Sequence, residues 1–123
     1  MKRQKEIVIF EGDVSAKSLG VVSLGGLKGV SGFVDFYNSE VVDLGQLASV
    51  GGRAIFSYSQ ITDLGKLERI GGDTTFWNAP APDLGKLTYI DGDVDFRCSK
   101  ITDLASIQYI GGCILIDKRK IYV

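Results

Sequence analysis

A period of twenty residues runs through this chain with no insertion or deletion to break its register. Four full copies read LKGVSGFVDFYNSEVVDLGQ, LASVGGRAIFSYSQITDLGK, LERIGGDTTFWNAPAPDLGK and LTYIDGDVDFRCSKITDLAS. A weaker first copy, IVIFEGDVSAKSLGVVSLGG, starts at Ile7, and a partial last copy, IQYIGGCILIDKRKIYV, reaches Val123. The consensus is L-x-x-I-x-G-x-V-x-F-x-x-S-x-I-x-D-L-G-x. Segments this short and this regular cannot each bury a core alone. They fold by stacking, one coil per repeat, around an apolar interior that runs the length of the array. The chain therefore reads as one solenoid domain over 1–123. It divides into an N-terminal cap over 1–6, repeats over 7–26, 27–46, 47–66, 67–86 and 87–106, and a partial terminal repeat over 107–123.

Stacking turns each consensus position into a column. Phe36, Phe56, Phe76 and Phe96 form one. Val34, Ala54, Thr74 and Val94 form its neighbour, two positions earlier. Alternation with polar residues makes G-x-V-x-F a short strand with its inward residues two apart. The expectation is one parallel sheet of about six short strands, spaced by ~4.8 Å. Further apolar columns are Leu47, Leu67 and Leu87, then Val50, Ile70, Ile90 and Ile110, then Leu44, Leu64, Leu84 and Leu104. Gly32, Gly52, Gly72, Gly92 and Gly112 mark a turn before each strand, where a side chain does not fit or φ is positive.

Two polar columns invite chemical readings. Asp43, Asp63, Asp83 and Asp103 stack with like charge, and hard cations take carboxylate oxygens. Each precedes L-G-x-L or a near equivalent, however, and the first copy has Ser23 there. Both residue types cap the N–H groups of a short helical turn, so capping is favoured over a metal. Ser39, Ser59 and Ser99 read as inward hydroxyls bonded to neighbouring coils. A serine nucleophile needs an adjacent base, and the chain has no histidine. LGGLKGVSG misses the spacing of a phosphate loop. Cys98 and Cys113 occupy different columns and are predicted to stay unpaired, and without histidine they make a poor zinc site. No metal and no cofactor is expected, and no catalytic residue is assigned.

The strand and its preceding turn resemble the leucine-rich-repeat superfamily, most closely the receptor L-domains, whose coils carry L-x-x-I-x-G-x-L-x-I-x-x-N. The resemblance spans about residues 7 to 117. The family's Asn column is replaced by Ser39, Ser59, Ala79 and Ser99. The resemblance implies a right-handed solenoid with short helical turns, whose main sheet binds a protein or other ligand. It does not imply an enzyme.

Fourteen basic against fifteen acidic residues leave a formal charge of −1, so no attraction to nucleic acid is indicated. The apolar run Ile7–Phe10 is four residues long, short of the roughly 7–15 a signal peptide uses. No stretch approaches the ~18 apolar residues of a membrane span. The expected location is the cytoplasm of the producing or a host cell.

The outward face of the strands varies from copy to copy, unlike the core. It mixes Phe33, Tyr37, Ile55, Tyr58 and Trp77 with Arg53, Arg97, Asp73 and Asp95, and Lys17 stands in the Tyr37 column. Aromatics and Arg are the types that dominate binding hot spots. Beside Trp77, Pro80 and Pro82 flank Ala81 in place of the usual S-x-I-T, predicting an interrupted ladder and a stiff protruding edge. The leading expectation is a non-catalytic protein-binding module, an inhibitor or adaptor of a larger assembly of the phage- or pathogen-encoded kind. The alternative is a carbohydrate-binding module, with Trp77 and Tyr37 as stacking platforms and Asp35, Asp73, Asp93 and Asp95 as hydroxyl acceptors. A polysaccharide-cleaving enzyme needs a positioned acid–base pair as well. At the C-terminus, Lys118–Lys120 read as charged gatekeepers of an open edge. Ile121–Val123 read equally as a docking point for a second copy.

Overall fold

The computed structural model describes residues 9–16, 23–81 and 83–117. Its strands are β1 (Ile9–Phe10), β2 (Val14–Ser15), β3 (Gly29–Val30), β4 (Val34–Asp35), β5 (Ser49–Val50), β6 (Ala54–Ile55), β7 (Arg69–Ile70), β8 (Thr74–Thr75), β9 (Tyr89–Ile90), β10 (Val94–Asp95), β11 (Tyr109–Ile110) and β12 (Ile114–Leu115). They form a β-solenoid of about five turns.

The strands make two parallel sheets of six, not the single sheet expected. Odd-numbered strands form sheet A and even-numbered strands sheet B. Every neighbour in a ladder is twenty residues away, as in Val50↔Ile70 and Val94↔Thr74. Sheet B is the predicted G-x-V-x-F strand. Sheet A comes from the end of L-x-x-I, where two residues alternate outward and inward before the chain turns a corner. No longer alternation flanks that dyad as it flanks the equally short strands of sheet B, and only stacking reveals it.

The predicted columns are the core. The rings of Phe36, Phe56, Phe76 and Phe96 are fully buried and stacked, with centroids 5.5, 5.0 and 5.5 Å apart. This is the spacing the coil pitch imposes on a ring in each layer. The Leu44, Leu64, Leu84 column and the Leu47, Leu67, Leu87 column fill the opposite side.

The L-G-x-L segments form no helical turn. L-G-x-L closes as a four-residue β-turn, in which Leu47, Leu67 and Leu87 donate to the carbonyls of Leu44, Leu64 and Leu84 at 3.1, 3.1 and 3.0 Å. Gly45, Gly65 and Gly85 sit at its first central position with φ of 60°, 58° and 59°, a conformation glycine adopts without steric cost. The Asp column does cap, but caps this turn. Oδ1 of Asp43, Asp63, Asp83 and Asp103 accepts the N–H two residues on at 2.6, 2.7, 2.9 and 2.8 Å. Ser23 does the same for Gly25 at 3.1 Å.

In the serine column, Ser59 and Ser99 bond within their own coil. Ser99 Oγ donates to the Phe96 carbonyl at 2.7 Å and accepts from Ile101 N–H at 3.3 Å. Ser59 Oγ accepts from Ile61 N–H at 3.3 Å. Ser39 Oγ is buried with no partner. Asp is what stitches coil to coil at the corner. Oδ1 of Asp13, Asp73 and Asp93 accepts the N–H of Phe33, Asp93 and Cys113 at 3.0, 2.8 and 2.8 Å. Each carboxylate lies where a Cβ on Gly32, Gly92 or Gly112 would stand, and at Gly52 and Gly72 the backbone of the preceding coil stands in the way instead.

Pro80 interrupts no ladder, because the described coils have no strand on that side. It is half-buried, and Ala79 and Ala81 are buried in the core. The cap over 1–6, Lys17, Pro82 and the segment 118–123 lie outside the described residues.

Candidate functional site

The candidate site is built on the turn that follows each sheet B strand. Ser39, Ser59, Ala79 and Ser99 donate to the carbonyls of Phe36, Phe56, Phe76 and Phe96 at 3.1, 3.1, 2.8 and 3.3 Å, closing a β-turn in each of these four coils. The outward strand residue steadies the turn from outside. Asp35 Oδ1, Thr75 Oγ1 and Asp95 Oδ1 accept the N–H of Tyr37, Trp77 and Arg97 at 2.9, 3.2 and 3.0 Å. The second central residue of the turn is left-handed: Asn38, Tyr58, Asn78 and Cys98 have φ of 53°, 56°, 55° and 56°. Asparagine tolerates this; for a bulky residue such as tyrosine it is an outlier that costs about 1–2 kcal/mol.

The strained position puts the Tyr58 ring where its own coil has none. Its predecessor Ser57 occupies the Tyr37 and Trp77 column but is small and buried, with its hydroxyl 3.2 Å from Thr75 Oγ1. The Tyr58 ring stands edge-to-face against Tyr37 (centroids 5.5 Å, 77°) and against Trp77 (5.5 Å, 81°). Asn78 Nδ2 donates to the Tyr58 hydroxyl at 3.0 Å. The three rings form one continuous run and remain 42, 43 and 37% exposed.

Beside this run, sheet B presents an open groove of about 270 Å³, lined by Arg53, Ile55, Asp73, Thr75, Asp93, Asp95 and Leu115 among others. Thr75 belongs to the groove and also holds Trp77 and Ser57, so groove and ring run adjoin. Arg53 stacks its guanidinium 5.5 Å from the Phe33 ring. Arg97 grips Asp95 with Nε on Oδ1 at 3.0 Å and Nη2 on Oδ2 at 2.8 Å. That grip holds the Asp95 carboxyl below the usual carboxylate range, partly opposed by burial, and raises Arg97 in return. The predicted residues thus fall into two adjoining groups: Tyr37, Tyr58 and Trp77 on the ridge, and Phe33, Arg53, Ile55, Asp73, Asp95 and Arg97 along the groove.

Sheet A carries a second feature that the sequence reading missed. Arg69 lies 4.3 Å over the Tyr89 ring, and Tyr89 stacks on Tyr109 at 4.8 Å and 24°. Beside them is an open recess of about 380 Å³ that includes Ser49, Arg69, Tyr89 and Asp91. The signal was the residue before each column isoleucine, where Gly29, Ser49, Arg69, Tyr89 and Tyr109 alternate with the inward position.

Among the described residues, no three His, Cys, Asp or Glu side chains converge as a metal site would require. No helix there is long and apolar enough to cross a membrane. Cys98 and Cys113 are exposed free thiols. The class these features define is a two-sheet parallel β-solenoid with an exposed aromatic run along one side. Comparison with protein-family models, curated proteins and solved structures finds no significant match to the chain.

Proposed function

We propose that this solenoid is a non-catalytic protein-binding module, a small inhibitor or adaptor that engages a larger protein assembly. The observation that carries the reading is Tyr58. A left-handed tyrosine is retained at a cost, and what that cost secures is an unbroken, half-exposed run of Tyr37, Tyr58 and Trp77. Strain that serves exposure instead of packing is the mark of a functional position. Tyr and Trp with a neighbouring Arg are also the side chains that supply most binding energy at protein interfaces. The L-x-x-I-x-G pattern supports a right-handed solenoid of leucine-rich-repeat type. Two exposed free thiols suit a reducing compartment, the cytoplasm of the producing or host cell.

The edge-to-face rings favour a protein over a glycan. They form a ridge instead of coplanar platforms, and one oxygen each of Asp35, Asp73, Asp93 and Asp95 is already taken by a backbone N–H. The test is capture from a host lysate with wild type and with Tyr37→Ala/Trp77→Ala as baits. A stoichiometric protein complex held by the wild type and lost by the variant is the expected result. Equal capture by both baits would refute the placement of the site. A shift of Trp77 fluorescence on adding oligosaccharides, with no protein complex, would move the reading to carbohydrate binding.

A further inference from the structure

Sheet A carries a stack that stops one layer short. Its outward column runs Ile9, Gly29, Ser49, Arg69, Tyr89 and Tyr109, one residue to a coil. Tyr109 and Tyr89 stack at 4.8 Å, and Arg69 extends the stack at 4.3 Å from the Tyr89 ring. Ser49 comes next and is too short to continue it. In the layer beyond, Ile9 Cδ1 reaches across Gly29, to 2.8 Å from where a Cβ on that glycine would stand. Between Arg69 and Ile9, one layer thus holds only a hydroxymethyl group. The coil pitch of ~4.8 Å gives that layer the height of a ring in a stack.

The recess of about 380 Å³ opens on this layer, and Ile9, Ser49, Arg69, Tyr89 and Asp91 all line it. Its floor is backbone at Gly51 and Gly71, where a Cβ would come within 2.2 Å of the carbonyl oxygen of the preceding coil. Its polar groups are uncommitted. The side chains of Ser49 and Asp91 have no hydrogen-bond partner among the described residues, and that of Arg69 meets only the Tyr89 ring. In the sheet B groove, by contrast, Asp73, Asp93 and Asp95 each hold a backbone N–H. An open recess with a few convergent, unspent polar groups is the form of a small-molecule site.

The chemistry of the lining selects the ligand. The side of Arg69 away from Tyr89 takes a planar, electron-rich ring. A carboxylate only accepts, so Asp91 faces a hydrogen-bond donor. Their separation is set by the fold. A ring on the far side of Arg69 stands about 8 Å along the stack from Tyr89, and Asp91 lies in the Tyr89 coil, ~6.6 Å further along the strand. Ring and carboxylate are then about 10 Å apart, and a hydrogen bond of ~2.9 Å leaves the donor about 7 Å from the ring centre. A ribonucleoside carries its 2′ and 3′ hydroxyls at that remove from the base. An aromatic amine holds its ammonium closer, and a phenyl or indole side chain offers Asp91 nothing. We infer that the sheet A recess binds a ribonucleoside or the nucleoside end of a nucleotide. The base lies between Arg69 and Ile9, the ribose crosses the glycine floor, and its hydroxyls donate to Asp91. The site is separate from the Tyr37, Tyr58 and Trp77 ridge and does not rest on the protein-binding reading.

The experiment is isothermal titration calorimetry on the full chain with adenosine, guanosine, cytidine and uridine, beside tryptamine and free ribose. The expected result is one-to-one binding of at least one ribonucleoside, tighter than tryptamine, with no heat from ribose. Arg69→Ala should weaken it roughly tenfold or more. Ser49→Phe fills the layer with a ring of the protein's own and should abolish binding with an unchanged circular dichroism spectrum. Asp91→Asn should weaken the bound ribonucleoside severalfold yet leave its 2′,3′-dideoxy analogue at the wild-type value. Trp77→Ala should leave nucleoside binding unchanged, which keeps this site distinct from the ridge. Failure of all four ribonucleosides to bind overturns the inference. So does tryptamine binding as tightly, binding that survives both Arg69→Ala and Ser49→Phe, or an Asp91→Asn loss that the dideoxy analogue shares in full.

Discussion

The side-chain amide of Asn78 donates a 3.0 Å hydrogen bond to the hydroxyl of Tyr58, twenty residues earlier in the chain. Both residues have the same left-handed backbone, in the same place of successive turns. One is a residue suited to that conformation and the other is not. The bond fixes the misfit ring between Tyr37 and Trp77, so the surface feature and the strain have one origin.

Separating the two is the first test. Tyr58→Asn removes about 1–2 kcal/mol of backbone strain and two ring contacts worth about 0.5–1.5 kcal/mol each. Urea unfolding should therefore place it within about 1 kcal/mol of wild type, while the captured partner is lost. Cys98→Asn relieves the same strain where no ring run is built, and should gain up to about 1 kcal/mol with capture intact. Equal loss of capture in both variants would deny Tyr58 its special role.

Ser39 and Ser99 occupy one column with opposite hydrogen-bond status. Ser99→Ala breaks a 2.7 Å bond to a buried carbonyl and leaves Ile101 N–H unpaired, at about 1–2 kcal/mol. Ser39→Ala removes a hydroxyl that is already unpartnered, and should be neutral or stabilising by up to about 1 kcal/mol. Paired denaturant curves decide it. A larger loss for Ser39→Ala would show that its hydroxyl is satisfied in solution.

Two glycines should respond in opposite senses. A Cβ on Gly92 would come within 2.6 Å of Asp73 N and Gly72 C, besides meeting the Asp73 carboxylate, so Gly92→Ala should cost about 2–3 kcal/mol. A Cβ on Gly26 meets nothing within 4 Å and its φ is not left-handed. Gly26→Ala should gain about 0.4–1 kcal/mol by restricting the unfolded chain. Melting temperatures moving in the same direction for both would contradict this account of the corner.

The Asp95–Arg97 pair sets a pH dependence. The folded Asp95 carboxyl holds its proton less tightly than the unfolded one. Its stabilisation is therefore in place above the ordinary carboxylate range and is lost as pH falls through the depressed value. Arg97 is solvent-exposed, so the effect is small. Wild type should melt slightly above Asp95→Asn at neutral pH, and the gap should close below about pH 4. A gap that persists unchanged into strong acid would show that the ion pair contributes nothing.

The period made most of the fold legible. Twenty-residue register alone places the Phe, Val, Ile and Leu columns, the parallel pairing and the outward residues of sheet B. Sheet A escaped because its strands lack the extended G-x-V-x-F alternation that marks those of sheet B, although the strands of both sheets are two residues long. Its outward members, Arg69, Tyr89 and Tyr109, acquire meaning only when neighbouring coils bring them together. The expected helical turns failed for a related reason. Asp-Leu-Gly fits a helix cap and a β-turn equally well, and glycine's positive φ decides between them. At the site, residue types identified Tyr37, Tyr58 and Trp77. That Tyr58 takes over the place vacated by Ser57 is a backbone event no composition reveals.

Because every ladder pair joins residues twenty apart, the entropy of closing a coil is set by the repeat and not by the length of the chain. Opening then proceeds as it does in any linear array, by peeling from the two ends inward. Tyr37, Tyr58 and Trp77 lie on the second, third and fourth of the coils that start at Ile7, one ring to a coil. The surface that bears the strain is thus lost as soon as any one of these three coils opens, so its integrity reports their joint opening.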